Sequence, residues 1–391
     1  MEVRPSRRHH VAMGALDGLL VADFSRVLAG PLAAMTLGDL GADVIKVESP
    51  EGDETRSWQP PTDDQGRATY FLTVNRNKRS VSLDLKDPAD LKLARELACR
   101  ADVLIENFKP GTMEKFGLGY KEVAMDNPGL VYCSISGFGE TGGRLMPGYD
   151  PLVQALSGLM SVTGDPAGEG SKVGVALVDV IAGLNASTGI LAALRVRDRD
   201  GVGQRVTVDL LSTALAALAN QGSSFLNTGV SPGRLGNVHP SIEPFATYRT
   251  ADGSLMICVG NDNQFNHLVV SIGAPGLAED PRFRTNADRV RNRDDLRPEL
   301  ESRLTLDSTD YWVRILNDAG VPAGAVNDVA GGFELAESLG LEPVDESDGV
   351  RTARSPINLS ATPAETRRRP PAVDEQGDEI RQWLERPPGP A

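Results

Sequence analysis

"LLVADFSRVLAGPLAAMTLGDLGADVIKVE", residues 19–48, sets two short β-rich runs around one helical run. Leu19–Phe24 and Val44–Val47 are strand candidates, and Pro31–Leu40 between them opens on a proline, which suits a first helical turn. The pattern repeats along the chain. Further strands are predicted at Ser80–Leu83, Val103–Ile105, Val131–Ile135 and Arg205–Val208. Helices are predicted at Pro88–Cys99, capped by Asp87, and at Tyr149–Leu159, Ile181–Val196 and Leu210–Leu226. Strands alternating with helices specify an α/β fold with a parallel, doubly wound sheet. Ligands on such sheets bind at the carboxyl ends of the strands, so the loops after strands are where chemistry is sought.

Past residue 225 the character changes. "NTGVSPGRLGNVHPSIEP", residues 227–244, is a connector rich in Gly, Pro and Asn. "FATYRTADGSLMICVG", residues 245–260, reads as a hairpin turning at Ala251-Asp252-Gly253, and helices follow near 263–272, 292–304 and 309–319. The expected organisation is a large domain over 1–225, a small α+β domain over 226–330, and a linker and tail over 331–391. The tail carries one helix, Asp374–Leu384, which returns to the large domain. A chain of 391 residues exceeds what one core usually holds, in keeping with two domains.

Composition narrows the function classes. A formal charge of −14 disfavours nucleic acid or an anionic membrane as partner. The basic runs Arg7-Arg8-His9-His10 and Arg367-Arg368-Arg369 lie near the termini and read as solvated tails. Cys99, Cys133 and Cys258 are too scattered for a disulfide framework or a metal site, and four histidines leave little material for His-based chemistry. No secretory signal and no run of eighteen apolar residues is seen. A soluble cytoplasmic protein without metal is expected.

Several post-strand loops carry candidate groups. "DFSRVLAGP", residues 23–31, enters a helix N-terminus, which offers free N–H groups to an anion; it is equally a tight strand-to-helix connection. It lacks the G-x-G-x-x-G pattern of a nicotinamide site. Arg76, Lys78 and Arg79 form a cluster suited to a phosphate or carboxylate, or to solvent. Asn107, Phe108 and Lys109 combine an amide, an aromatic face and a cation that together suit a nucleotide. Asp150, before Pro151, reads as an N-cap. Asp179 is one acid in the apolar run "KVGVALVDVIAGLNASTGILAAL", residues 172–194; it is either a cap for the helix that follows or a catalytic group. "VGNDNQF", residues 259–265, is a capped turn or a loop that closes on a substrate.

Taken in order, these segments resemble the class III CoA-transferases, the carnitine/bile-acid CoA-transferase family that also holds the α-methylacyl-CoA racemases. The segments are "DFSRVLAGPLAAMTLGDLGADVIKVE", "NRNKRSVSLDLK", "ADVLIENFKPG", "PGLVYCSISGFGETG", "GYDPLVQALSGLMSVTG", "ALVDVIAGLNASTGILAAL", "GQRVTVDL", "DPRFRTN" and "GVPAG". The resemblance covers about residues 16 to 385. It implies a Rossmann-like large domain, a small domain joined by two linkers, and an interlocked homodimer. It also implies acyl-CoA and carboxylic acid substrates, dicarboxylic acyl groups such as succinyl-CoA among them, with no tightly bound cofactor.

By position the resemblance places Arg26, Val27, Leu28, Ala29, Lys78, Arg79, Asn107, Phe108 and Lys115 along coenzyme A. Asp179 matches the aspartate that takes the acyl group, and as a carboxylate ionised at neutral pH it needs no adjacent base. Tyr149 and Asp150 stand where racemases carry His-Asp. Gly260 and Asn261 are candidates to support oxyanions, and Arg234 and His239 to hold a distal carboxylate. The chain has Leu28 where formyl-CoA transferases have Gln, and "GNDNQ" where they have a glycine run. The rival reading is an α-methylacyl-CoA racemase, which needs a His beside the acid that Tyr149 does not supply.

Overall fold

In the computed structural model, which describes residues 14–387, six strands form one parallel sheet. They are β1 (Leu20–Asp23), β2 (Asp43–Glu48), β3 (Lys78–Ser82), β4 (Val103–Glu106), β5 (Val131–Ser136) and β6 (Arg205–Asp209). Their order is β3-β2-β1-β4-β5-β6, so the winding reverses between β1 and β4. In doubly wound sheets that reversal opens a crevice at the carboxyl ends of the two strands.

Strand residues alternate between two cores, one on each face. On one face Val21, Val44, Val103 and Val131 pack with Ala33 and Leu37 of helix Ala29–Asp39 and with Ala182, Ala186 and Ile190 of helix Leu177–Asp200. On the other, Ala22, Ile45, Leu104 and Tyr132 pack with Ala94 and Leu97 of helix Pro88–Arg100. Ile380 and Leu384 of the tail helix Gly377–Glu385 complete this second core. Asp87 caps Pro88–Arg100 by accepting from the Ala89 and Asp90 N–H groups.

Helix Leu177–Asp200 is long and apolar enough to cross a membrane by composition alone, a feature core helices share. Here its small residues bring it close to the sheet's other helix. A Cβ on Gly183 would stand 2.7 Å from the Ala29 carbonyl oxygen, so only glycine permits the approach. Asp179 lies one turn earlier on the same side and is thereby carried to the loop that follows β1.

The chain divides into a large unit, residues up to 159, 173–223 and from 342 onward, and a small unit, residues 160–172 and 224–341. This departs from the expected boundaries in two places. Residues 160–172 join the small unit, where the Arg234 guanidinium donates to the carbonyls of Asp165 and Gly168. Residues 331–341 belong there too, within and just beyond helix Val329–Ser338, instead of forming a linker. The predicted helix Leu210–Leu226 is two helices, Leu210–Ala217 and Ala219–Thr228, broken where Ala219 takes a φ of +46°. In the small unit, strands β7 (Phe245–Arg249), β8 (Ser254–Cys258) and β9 (Ala323–Ala325) make an antiparallel sheet.

Of the two basic runs, Arg7-Arg8-His9-His10 lies outside the described residues. The other is built into the fold and is not a solvated tail. Arg367 donates to the carbonyls of Gly38 and Ala42 at the end of helix Ala29–Asp39, and Arg369 pairs with Glu375.

Candidate active site

Two loops meet at the reversal between β1 and β4. Asn107, just past β4, brackets the backbone of Arg26, just past β1. Its Oδ1 accepts from the Arg26 N–H at 2.9 Å and its Nδ2 donates to the Arg26 carbonyl at 2.7 Å. The Arg26 guanidinium lies over the Phe108 ring, 5.0 Å from the centroid. Beneath the loop, buried Lys46 donates to the Ser25 carbonyl at 3.0 Å and to Asp53 at 2.9 Å. Asp53 also accepts from the Val27 N–H. Burial works against ionising Asp53, yet the Lys46 ammonium and the Thr55 hydrogen bonds hold it down at about 2. These contacts keep Val27 at a φ of +69°, a conformation that a β-branched residue adopts only when its surroundings impose it.

Two cavities open at this edge of the sheet and share Arg26 and Phe108. One runs past Lys46, Ser49, Leu85, Lys86 and Phe116. The other is lined by the Arg26–Ala29 loop, Asn107, Phe108, Tyr149 and Asp179, with Glu54, Lys109 and Arg144 also on its walls. The segment between Gly137 and Gly148 forms one side of it, pinched at its base where a Cβ on Gly137 would stand 2.4 Å from the Gly148 Cα. An elongated molecule with anionic groups at one end and a reactive group at the other suits two neighbouring cavities that share Arg26 and Phe108 and carry both cations and carboxylates on their walls.

Asp179 is the third residue of its helix, after Leu177 and Val178, and does not cap it. That task falls to Asp150, whose Oδ2 accepts from the Val178 N–H at 2.7 Å and the Asp179 N–H at 3.1 Å. The carboxylate expected to cap its own helix therefore caps another, and Tyr149 is the residue that precedes helix Asp150–Leu156. Asp150 is only 3% exposed. Asp179 is half-buried, and burial, with the like charge of Asp150 second, pushes its carboxyl up to about 7. The expectation of full ionisation at neutral pH is corrected by this: burial and the charge of Asp150 leave the carboxyl partly protonated near neutrality. Tyr70 lies in the field of both acids; burial first, then Asp179, Asp150 and Asp53, push its phenol up to about 12. Its ring stands edge-on to Trp58 at 4.9 Å and packs with Val27, Ala176 and Val180.

Asp179 thus lines a cleft made from the loops after β1, β4 and β5. The sequence profile described as CoA-transferase family III matches residues 16–377. This chain belongs to CoA-transferase family III. Among its relatives is an acetyl-CoA:oxalate CoA-transferase of Acetobacter aceti, 41% identical over 96% of this chain and 97% of the relative. Another is a succinate–glutarate CoA-transferase of Agrobacterium fabrum, 41% identical over 95% of this chain and 96% of the relative. Among solved structures, a CaiB/BaiF family protein from Brucella suis superposes with a TM-score of 0.87 at 43% identity, over 95% of this chain and all of that one.

Within this CoA-transferase family III chain, the structure brings Arg26, Val27, Leu28, Ala29, Asn107, Phe108, Tyr149 and Asp179 to one cavity. Asn107 reaches it with its amide already engaged by Arg26. Three expected coenzyme A contacts are not there. Lys78 is 1% exposed and donates to Asp23, Pro31 and Asn75, inside the sheet's own packing. Arg79 pairs with Asp43 and Glu379 near the amino ends of the strands, away from the ligand edge. Lys115 is exposed on the short helix Thr112–Lys115 and lines neither cavity. Asp150 faces backbone amides, which corrects its reading as a substrate contact.

The remaining candidates lie in the small unit and have partners within it. The Gly260 N–H donates to Gln264, and Asn261 caps helix Asp262–Ser271. Arg234 is held by two carbonyls, and His239 accepts from the Ser241 N–H with its ring against Phe245. Among the described residues no cluster of His, Cys, Asp and Glu could hold a metal. Sequence reasoning missed Tyr70, Lys86 and Arg144. For Arg144 a signal existed: Gly139, Gly142, Gly143 and Gly148 around it mark a loop that approaches a ligand edge.

Proposed function

We propose that this CoA-transferase moves coenzyme A from a dicarboxylic acyl-CoA donor to a carboxylic acid, with Asp179 as the group that carries the acyl chain. The observation behind this is a basic, half-buried carboxylate at the wall of a cleft with cations and an aromatic face. Relatives named for oxalate and glutarate favour dicarboxylic substrates.

In the first step an Asp179 carboxylate oxygen attacks the thioester carbonyl carbon, the C–S bond breaks, and coenzyme A leaves as thiolate, giving a mixed anhydride. The thiolate then attacks the aspartyl carbonyl carbon, which releases the donor acid and leaves an aspartyl-CoA thioester. The acceptor carboxylate attacks that thioester, expels the thiolate and forms a second anhydride. Attack by the thiolate on the acceptor's acyl carbon yields the new acyl-CoA and restores Asp179. Water hydrolyses each intermediate, so a cleft walled by Val27, Leu28 and Phe108 serves the reaction by excluding it. Arg26, with Phe108 beneath it, and the cations Lys86, Lys109 and Arg144 supply the charge that phosphates need.

The working unit is proposed to be an interlocked homodimer. Helices Ala219–Thr228 and Val329–Ser338 bury no residue within the described chain, while Leu226 is 81% and Val329 79% exposed. Large apolar side chains so exposed are covered when a second copy packs on them. The cysteines Cys99, Cys133 and Cys258 are free thiols, in keeping with the cytoplasm.

The test is incubation with succinyl-CoA and a panel of mono- and dicarboxylic acids, with new CoA esters followed by mass spectrometry. Transfer to dicarboxylic acids is expected. Because the nucleophile is the deprotonated form, kcat/KM should rise about tenfold per pH unit below pH 7 and level off above it. Exchange of the α-proton of a 2-methylacyl-CoA without transfer would overturn the proposal in favour of a racemase.

A further inference from the structure

We infer that Asp150 is a positioning residue for Asp179: its buried carboxylate occupies the amide donors at the start of helix Leu177–Asp200, leaving the Asp179 carboxylate to line the cavity. This rests on the reading of Asp179 as the acyl carrier.

A helix N-terminus presents unpaired N–H groups and the positive end of the backbone dipole. An acid in the first turn is ordinarily drawn to those donors, which stabilise its charge and weaken it as a nucleophile. Asp179 sits in that turn without such a bond. Val178 and Asp179 give their N–H groups to Asp150 Oδ2 instead. The other oxygen of Asp150 accepts from Gln154 Nε2 at 2.6 Å, and Gln154 Oε1 accepts from the Val173 N–H at 2.9 Å. Gln154 is fully buried. Asp150 and Gln154, one turn apart on one helix, thus grip residues 173 to 179 and fix where the second helix begins.

The cavity that Asp179 lines also carries Arg26, Glu54, Lys109, Arg144 and Tyr149, and the Tyr70 phenol lies in the field of Asp179. Arg26, Glu54, Arg144 and Tyr149 are exposed, so solvent screens their charge or dipole. Asp150 is buried and shares Asp179's sign, so it raises the free energy of the ionised carboxylate. Acylation removes the charge on Asp179 and relieves that repulsion. The covalent state gains relative to the resting one, a difference that speeds attack without tightening substrate binding.

Asp150→Asn keeps the shape and one acceptor oxygen while removing the charge. The Asp179 side-chain carboxyl can be titrated by 13C NMR, its resonance identified by its loss in Asp179→Asn. In Asp150→Asn the midpoint is expected to fall by about one pH unit. In the same variant kcat should fall about tenfold, with KM for acyl-CoA within about twofold. A folded Asp150→Asn with an unshifted midpoint overturns the inference, because a purely structural role lowers the melting temperature alone. If that variant does not fold, amide hydrogen exchange on the wild-type chain decides. Slow exchange at Val178 and Asp179 supports the grip, and exchange as fast as at uncapped first-turn amides refutes it. The titration needs no turnover, so a failure of the acyl-carrier reading, seen as retained activity in an Asp179 variant, is told apart from a failure of this one.

Discussion

Asp179→Ala is expected to lower CoA transfer by roughly 10⁴-fold or more, the loss typical when a nucleophile is removed and binding remains. Affinity for acyl-CoA should survive, because Arg26 and Phe108 are held by Asn107 and by the Lys46–Asp53 pair and not by Asp179. Asp179→Asn separates chemistry from stability. The carboxyl is raised from 3.8 to about 7 in the folded chain, so the folded state disfavours its ionised form. That cost sets in as pH rises above the unfolded value and is complete above about 7. At pH 8 Asp179→Asn should therefore melt at the wild-type temperature or higher while being inactive. Lost activity together with a lower melting temperature would mean that Asp179 holds the fold and does not carry the reaction.

Lys78→Ala is expected to cost about 3–5 kcal/mol of stability, the range for removing one partner of a buried ion pair. Lys78 and Asp23 have fully buried side chains, with Nζ and Oδ2 at 2.8 Å. Burial opposes the Asp23 charge, and Lys78 with Lys46 overrides it, so the carboxyl lies below its usual range. Without Lys78 that charge is left with Ser25 and the more distant Lys46. Urea unfolding measures the loss, and Asp23→Leu with Lys78→Met should recover part of it by removing both charges together. The variant that remains folded should bind acyl-CoA with little change. An unaltered urea midpoint with a raised KM would reinstate Lys78 as a coenzyme A contact.

Lys78 also shows why some of the site was legible in the sequence and some was not. The sheet could be read because most of its strands are short apolar or β-branched runs between helical ones. Asp87 was readable as a cap because its partners are two and three residues away. Lys78 finds Asp23 across 55 residues, and no local pattern separates such a cation from one that faces a ligand. The same holds for Asp150, which reads as a local cap and bonds amides 28 and 29 residues on. The grouping of Arg26–Ala29 with Phe108, Tyr149 and Asp179 followed from the order of motifs along the chain. Tyr70 entered through packing, which a sequence does not display. The excursion 160–172 was hidden because what assigns it to the small unit is its contact with Arg234, 69 and 66 residues from the carbonyls it binds.

If Asp179 carries the acyl group, a covalent adduct forms on it. The wild-type chain is mixed with succinyl-CoA in the absence of acceptor, quenched in acid, digested, and its peptides weighed. An acyl group or coenzyme A is expected on the peptide that contains Asp179, removed by hydroxylamine and missing from Asp179→Ala. An adduct on a different residue, or transfer that proceeds at the wild-type rate in Asp179→Ala, would contradict it.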